Sequence, residues 1–247
     1  MIVVDILGAA LTLLSLGFLA LAGYLIALRL LGRRADGDPL TLAIATLLAT
    51  TGAGVAIPLL LGALGLLRLP SALLLALLVV VVLLRWPTRL SPEELRAPCA
   101  LLLRGTWEKL REHPALAVVA LTAVGSEALR GLLRPPLSRD SLMYHLWLAA
   151  TWLQTGNLKP VLAYLPLNYF GFVPANGSLW LWWWMAPSHS ELYVNWAFLP
   201  QWVLLGLATG GIARQLGARR HWPLALFAVL LLPTVVRFAA TEYVDIL

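Results

Sequence analysis

The sequence predicts an all-α protein, a polytopic transmembrane helical bundle of about six spans with an extracytoplasmic loop of interfacial helices. Three observations carry that prediction. Of 247 residues, 60% are hydrophobic and only 12% charged, whereas an ordinary soluble domain carries about a quarter charged residues. The apolar residues gather in uncharged runs close to the roughly 20 residues of helix that cross a bilayer core. The basic residues divide unevenly between the segments that join those runs. A water-soluble fold of this composition would expose more apolar surface than solubility tolerates. Intrinsic disorder and a disulfide scaffold are excluded as well, and Cys99, the single cysteine, has no internal partner for a bridge. The net charge of +6 would suggest nucleic acid in a soluble protein. In a membrane protein it reports loop topology, so the lipid bilayer is the expected partner and nucleic acid is not.

Taken in order, the first run is Ile6 to Leu28, followed by Arg29, Arg33 and Arg34. Its length and the further spans that follow argue against a cleaved signal peptide and leave an uncleaved anchor as the alternative. Leu40 to Leu67 and Leu69 to Leu84 form a hairpin, with Arg68 and Pro70 at the turn. Thr51-Gly52-Ala53-Gly54 and the pair Gly62 and Gly65 lie in that second run, where small residues let helices approach closely. Ser91-Pro92-Glu93-Glu94 then opens a surface helix within the mixed-charge stretch 85–113. Pro114 to Leu133 is the fourth run, with Glu127 and Arg130 one helical turn apart and suited to an ion pair. Leu192 to Ala213 is the fifth, and Trp222 to Val236 a shorter sixth. The organisation is therefore amino-terminal transmembrane helices over 1–134, a loop over 135–191 and further transmembrane helices over 192–247.

Counting charges orients this arrangement. Arg29, Arg33, Arg34, Arg85, Arg89, Arg96, Arg104, Lys109, Arg111, Arg214, Arg219 and Arg220 fall on one side; Arg68, Arg130, Arg134, Arg139, Lys159 and Arg237 fall on the other. Cytoplasmic loops are the richer in Lys and Arg, so the larger set is assigned to the cytoplasm of a plasma membrane. Residues 135–191 and the segment after Arg237 are then extracytoplasmic.

That outer segment is where chemistry is expected. Eight of the 11 tryptophans lie between Trp147 and Trp202, and indole rings favour the headgroup boundary, so the segment reads as an aromatic shelf lying in the outer interface. Within it, Ser141 to Gln154 is predicted as a helix closed by Gly156-Asn157, and Leu179 to Met185 as a second. Asp140 precedes the first helix, and two roles fit it. As an N-cap it accepts backbone N–H groups, the commoner role for such a residue. As a partly desolvated carboxylate it can act as general base on an incoming hydroxyl. Tyr144 shares its helix face, and His145 can donate to a carboxylate or a phosphate. Arg139 and Lys159 are outward cations able to meet phosphate oxygens, or to reach the headgroups. Glu242 and Asp245 add two acids on the same side, close to hydrocarbon, where acids call for a functional reading. No metal-ligand spacing or cofactor motif is present; a divalent cation is compatible with the outer acids but not required by them.

The stretch from Pro136 to Pro174, with Asp140, Tyr144-His145, Gly156-Asn157 and the Pro-Ala-Asn-Gly turn, resembles the first extracytoplasmic loop of GT-C superfamily membrane glycosyltransferases. The branch it is most similar to holds the bacterial relatives of protein O-mannosyltransferases and the lipid A aminoarabinose transferases. Gly211 to Gly217 and Tyr243-Val244-Asp245 look like that group too, so the resemblance covers roughly Pro135 to Leu247. It implies transfer of a sugar from a polyprenyl-phosphate donor to an extracytoplasmic glycan, lipid or protein acceptor. Asp140 would be the acid that activates the acceptor and Lys159 would face the lipid phosphate. Ser141 follows Asp140 where some members have a second acid, and Val173 stands before Pro174 where some have Lys. Members of the group are longer, which implies that this chain corresponds to the amino-terminal part. The alternative from another class is a non-catalytic membrane protein, a transporter subunit or assembly scaffold. A transporter would place ionisable residues mid-membrane, and here they sit at span ends.

Overall fold

The computed structural model describes residues 6–32, 38–85, 91–136, 141–159 and 175–239, and among them every regular element is helical. In chain order these are α1 (Ile6–Leu31), α2 (Pro39–Ala63), α3 (Leu69–Arg85), α4 (Pro92–Glu112), α5 (Pro114–Leu133), a π-helical turn Ser141–His145, α6 (Leu146–Thr155), α7 (Asn176–Met185), a 3-10 turn Val194–Trp196, α8 (Leu199–Gln215), α9 (Trp222–Leu230) and α10 (Pro233–Ala239). Four segments are long and apolar enough to cross a membrane: α1, α2, α5 and Val194–Gln215, which contains α8. Helix α3 is apolar but has 17 residues, about 26 Å of helix. The sixth run is not one helix. It breaks into α9 and α10 at Pro233, which lacks the N–H needed to carry the ladder through.

Local chemistry explains where these helices start and stop. The Asp38 carboxylate accepts the Leu40 N–H at 3.2 Å, and Pro39 occupies the first helical position of α2. Helix α4 opens on a reciprocal box, in which Ser91 N–H donates to Glu94 Oε2 at 2.7 Å and Glu94 N–H donates to Ser91 Oγ at 3.2 Å. Gly156, at φ 73°, closes α6 in the left-handed conformation that glycine adopts freely. Leucines such as Leu13, Leu48, Leu60 and Leu74 point outward, which is costly in water and suits a bundle surrounded by lipid.

The bundle has two distinguishable ends. At one, Arg29 Nε and Nη2 donate to the Leu83 carbonyl at 2.9 and 2.6 Å, joining the last turns of α1 and α3. Tyr24 Oη donates to the Leu95 carbonyl at 2.7 Å, which holds α4 against the same end. At the other, Leu67 N–H donates to the Gly156 carbonyl at 2.9 Å, so the α2–α3 turn meets the end of α6. The first is the arginine-rich end of the bundle and the second its far end.

The core is built on α7. Residues 177–187 are all buried. Trp183 Nε1 donates to the Gly54 carbonyl at 2.8 Å, and Trp180 Nε1 donates to the Ala197 carbonyl at 2.6 Å. A Cβ at Gly54 would overlap the Trp180 ring, so the absence of a side chain there is what seats α7 on α2. Gly54 lies nine residues before the end of α2, or about 14 Å below the far end along the helix axis. The expected shelf of indoles at the headgroups is thereby changed: Trp152, Trp180, Trp182, Trp183, Trp184 and Trp202 are buried, and Trp147 and Trp196 are half-buried. Indoles are large apolar bodies with one donor, and those of Trp180 and Trp183 find carbonyl acceptors inside the protein.

Candidate functional site

Of the predicted site residues that the structure describes, Lys159 lies at the far end just beyond α6, and Tyr144 and His145 lie before the start of α6. The π-helical turn Ser141–His145 leads directly into α6, and such wide turns tend to occur where side chains must be re-aimed for a task. His145 is 2% exposed and Ser178, in the first turn of α7, is fully buried. His145 Nδ1 and Ser178 Oγ lie 3.1 Å apart, with donor and acceptor set by the imidazole tautomer. A buried polar pair of this kind is stable because each partner satisfies the other. Its effect is to tie α6 to α7. The Nδ1 edge of His145 therefore faces the interior of the protein. The half-buried Tyr144 ring stacks at a tilt of 51° on the imidazole, with centroids 4.0 Å apart.

Lys159 is exposed just beyond α6. Its backbone N–H donates to Asn157 Oδ1 at 3.0 Å, and the preceding Leu158 N–H donates to the Gly62 carbonyl at 3.1 Å. Arg68, on the α2–α3 turn, reaches the Gln154 carbonyl with Nη1 at 3.4 Å, and its guanidinium lies over Gly156. Two exposed cations thus project from one corner of the far end. Among the described residues no carboxylate pairs with either. The sequence marks Arg68 as a turn residue and as one of the outer cations, and its place beside the end of α6 depends on the packing of α6 against the hairpin.

Arg139, Asp140, Glu242 and Asp245 lie outside the described residues. Glu127 and Arg130 form the expected ion pair, Arg130 Nη2 to Glu127 Oε2 at 2.6 Å, with Glu127 buried. The arrangement also contains a carboxylate that no motif in the sequence marks as functional. Asp38, at the arginine-rich end, receives both Arg214 terminal nitrogens and the Thr41 hydroxyl. The guanidinium hydrogen bonds hold its carboxyl well below the ordinary range, at about 2, against the opposing effect of burial. The Asp-Pro pair at the start of an apolar run was its one local signal. Among the described residues, no three His, Cys, Asp or Glu side chains gather as metal ligands.

Chemically, the far end offers two exposed cations beside the carboxy-terminal end of α6, and a rigid aromatic core beneath them. No protein-family model, no curated protein and no solved structure matches this chain.

Proposed function

We propose that the protein is a membrane glycosyltransferase acting on a polyprenyl-phosphate-linked sugar, with the far end on the outer side of a plasma membrane and Asp140 as general base. The observation that carries this reading is the Arg68 and Lys159 corner, two cations with no carboxylate partner among the described residues, at the carboxy-terminal end of α6 on the far end of the bundle. A transferase needs a base for the acceptor and positive charge for a departing phosphate, and these residue types supply both.

In the proposed reaction the acceptor hydroxyl gives its proton to Asp140 and its oxygen attacks the anomeric carbon. The bond from that carbon to the phosphate oxygen breaks, and the polyprenyl phosphate leaves with the electron pair. Lys159, Arg68 and Arg139 balance the charge that gathers on the phosphate. Glu242 and Asp245 bind acceptor or sugar hydroxyls, and Tyr144, held against His145, lines the approach. A donor anchored by its polyprenyl tail meets such a site at the membrane boundary without leaving the bilayer.

The test is turnover of a radiolabelled polyprenyl-phosphate sugar by the full-length protein in proteoliposomes. Asp140→Asn is expected to lower transfer by about a hundredfold or more while membrane insertion is kept. Lys159→Ala is expected to raise the donor KM. Transfer by Asp140→Asn at the wild-type rate would rule out the mechanism and favour a scaffold, which makes no demand on that carboxylate.

A further inference from the structure

A cleft of about 660 Å³ opens at the arginine-rich end between α2, α5, α8 and α9, beside α4. Its volume falls within the roughly 300–1,000 Å³ of ligand-binding clefts. The interior is apolar, with Ala43, Ala120, Val203, Leu207 and Phe227 among its walls, and the polar side chains in the lining are Arg104, Glu108 and Arg214. Its existence follows from how α5 is held. Helix α5 rests on α4 at one end, and at the other Trp196 Nε1 donates to the Ala128 carbonyl at 2.7 Å. Between those anchors α5 lines the gap with Ala117, Ala120, Leu121 and Val124, and the two alanines are too short to reach across it. Inside a bilayer such an apolar gap is filled by hydrocarbon, because dispersion contacts are lost if it stays empty.

The rim selects the head that such hydrocarbon carries. Arg104 and Arg214 line the cleft, and the exposed Arg219 and Arg220 lie three and two residues before Trp222, which also lines it. Among the described residues the carboxylates at this rim are Glu108 and Asp38, paired with Arg104 and Arg214, so the excess of cations comes from Arg219 and Arg220. The Arg104–Glu108 pair is an exposed i,i+4 contact, with the arginine side chain 80% exposed. Pairs of that type contribute little and exchange readily for a stronger anion. Basic pockets between transmembrane helices hold anionic lipid heads by this chemistry.

We infer that this cleft is a seat for an anionic glycerophospholipid of the adjoining leaflet, with its acyl chains between α5 and α8 and its phosphate at Arg104, beside the Asp38-paired Arg214. The seat lies at the opposite end from the Arg68 and Lys159 corner and does not depend on the proposed transfer reaction.

The experiment is native mass spectrometry of the full chain, delipidated in detergent and supplied with dioleoyl phosphatidylglycerol or dioleoyl phosphatidylcholine. The phosphatidylglycerol adduct is expected to survive at higher collision energy than the phosphatidylcholine adduct. Arg104→Gln should weaken it by about fivefold, the effect of one cation near an anionic head. Ala120→Trp, which fills the cleft, should remove the preference. Equal retention of the two lipids, or a preference unchanged in Arg104→Gln, overturns the inference. Because Ala120→Trp can perturb folding, a benzophenone attached at Ala120→Cys in a Cys99→Ser background gives a second readout. A photoadduct with phosphatidylglycerol supports the seat, whereas an adduct with the chain itself or with a second copy overturns it.

Discussion

Asp38 and Arg214, 176 residues apart in the chain, meet in a two-pronged ion pair that joins the start of α2 to the last turn of α8. The same carboxylate accepts the Leu40 N–H, so one side chain both caps a helix and ties two helices together. Its carboxyl is held at about 2 against an ordinary 3.8. With the side chain 27% exposed, solvent screening reduces the corresponding stabilisation to the order of 1–2 kcal/mol. Because the folded-state value is depressed, this stability is present in full above the unfolded value and is lost as pH falls through about 2. Asp38→Asn is expected to lower the thermal unfolding midpoint in detergent at pH 7 by an amount worth about 1–2 kcal/mol. The gap between wild type and variant should narrow as pH falls from 4 towards 2. A double-mutant cycle with Arg214→Gln isolates the pair, and strictly additive single effects would show that it contributes nothing.

The contact of α7 with α2 makes a positional prediction. A methyl at Gly54 would overlap the Trp180 ring, whereas a methyl at Gly52 meets nothing within 4 Å. Gly54→Ala is therefore expected to destabilise by about 1–3 kcal/mol, the usual range for overpacking. Gly52→Ala should be neutral or slightly stabilising, since alanine favours the helix. Thermal midpoints of the two variants decide the matter. Equal midpoints would mean that α7 does not seat at Gly54.

The features legible in the sequence are those set by neighbours along the chain. Pro114 and Leu133 bound α5 as read, the Ser91-to-Glu94 box opens α4, and Gly156 ends α6, because caps and proline act within one helical turn. Features set by partners far away in the chain were not legible. An indole fits a headgroup boundary and a protein core equally well, and only the fold brings Trp183 to Gly54, 129 residues distant. The break of the sixth run at Pro233 is by contrast a local effect, marked by the proline itself although the hydropathy of the run is continuous across it. At the candidate site, Tyr144, His145 and Lys159 were named from residue type, while Ser178 was passed over because a serine in an apolar helix forms no motif. Its meaning comes from His145, 33 residues earlier.

Asn195 gives a third prediction. Its Nδ2 donates to the Gly131 carbonyl at 3.0 Å and to the Arg134 carbonyl at 2.7 Å, serving carbonyls at the end of α5 that no further helical turn can satisfy. Asn195 is itself buried. Asn195→Ala should therefore cost about 1–3 kcal/mol by leaving buried acceptors unpaired. Asn195→Asp should cost more, since a carboxylate would face two carbonyl oxygens. Chemical or thermal unfolding of the two variants in detergent checks the order, and the prediction fails if the aspartate is the better tolerated.

Orientation in the membrane can be tested at single cysteines. Cys99 is exposed on α4, the helix held against the arginine-rich end by Tyr24. The excess of Lys and Arg on that side assigns it to the cytoplasm. A membrane-impermeant maleimide applied to intact cells should therefore leave Cys99 unlabelled until the cells are permeabilised. In a Cys99→Ser background, Ser188→Cys and Ser138→Cys should label without permeabilisation, the latter position lying outside the described residues. The pattern carries information because one membrane crossing more or fewer would place both new cysteines on the cytoplasmic side. Labelling of Cys99 in intact cells would reverse the orientation, and it would set Asp140 and Lys159 in a compartment where an outward-facing lipid-linked donor is not presented.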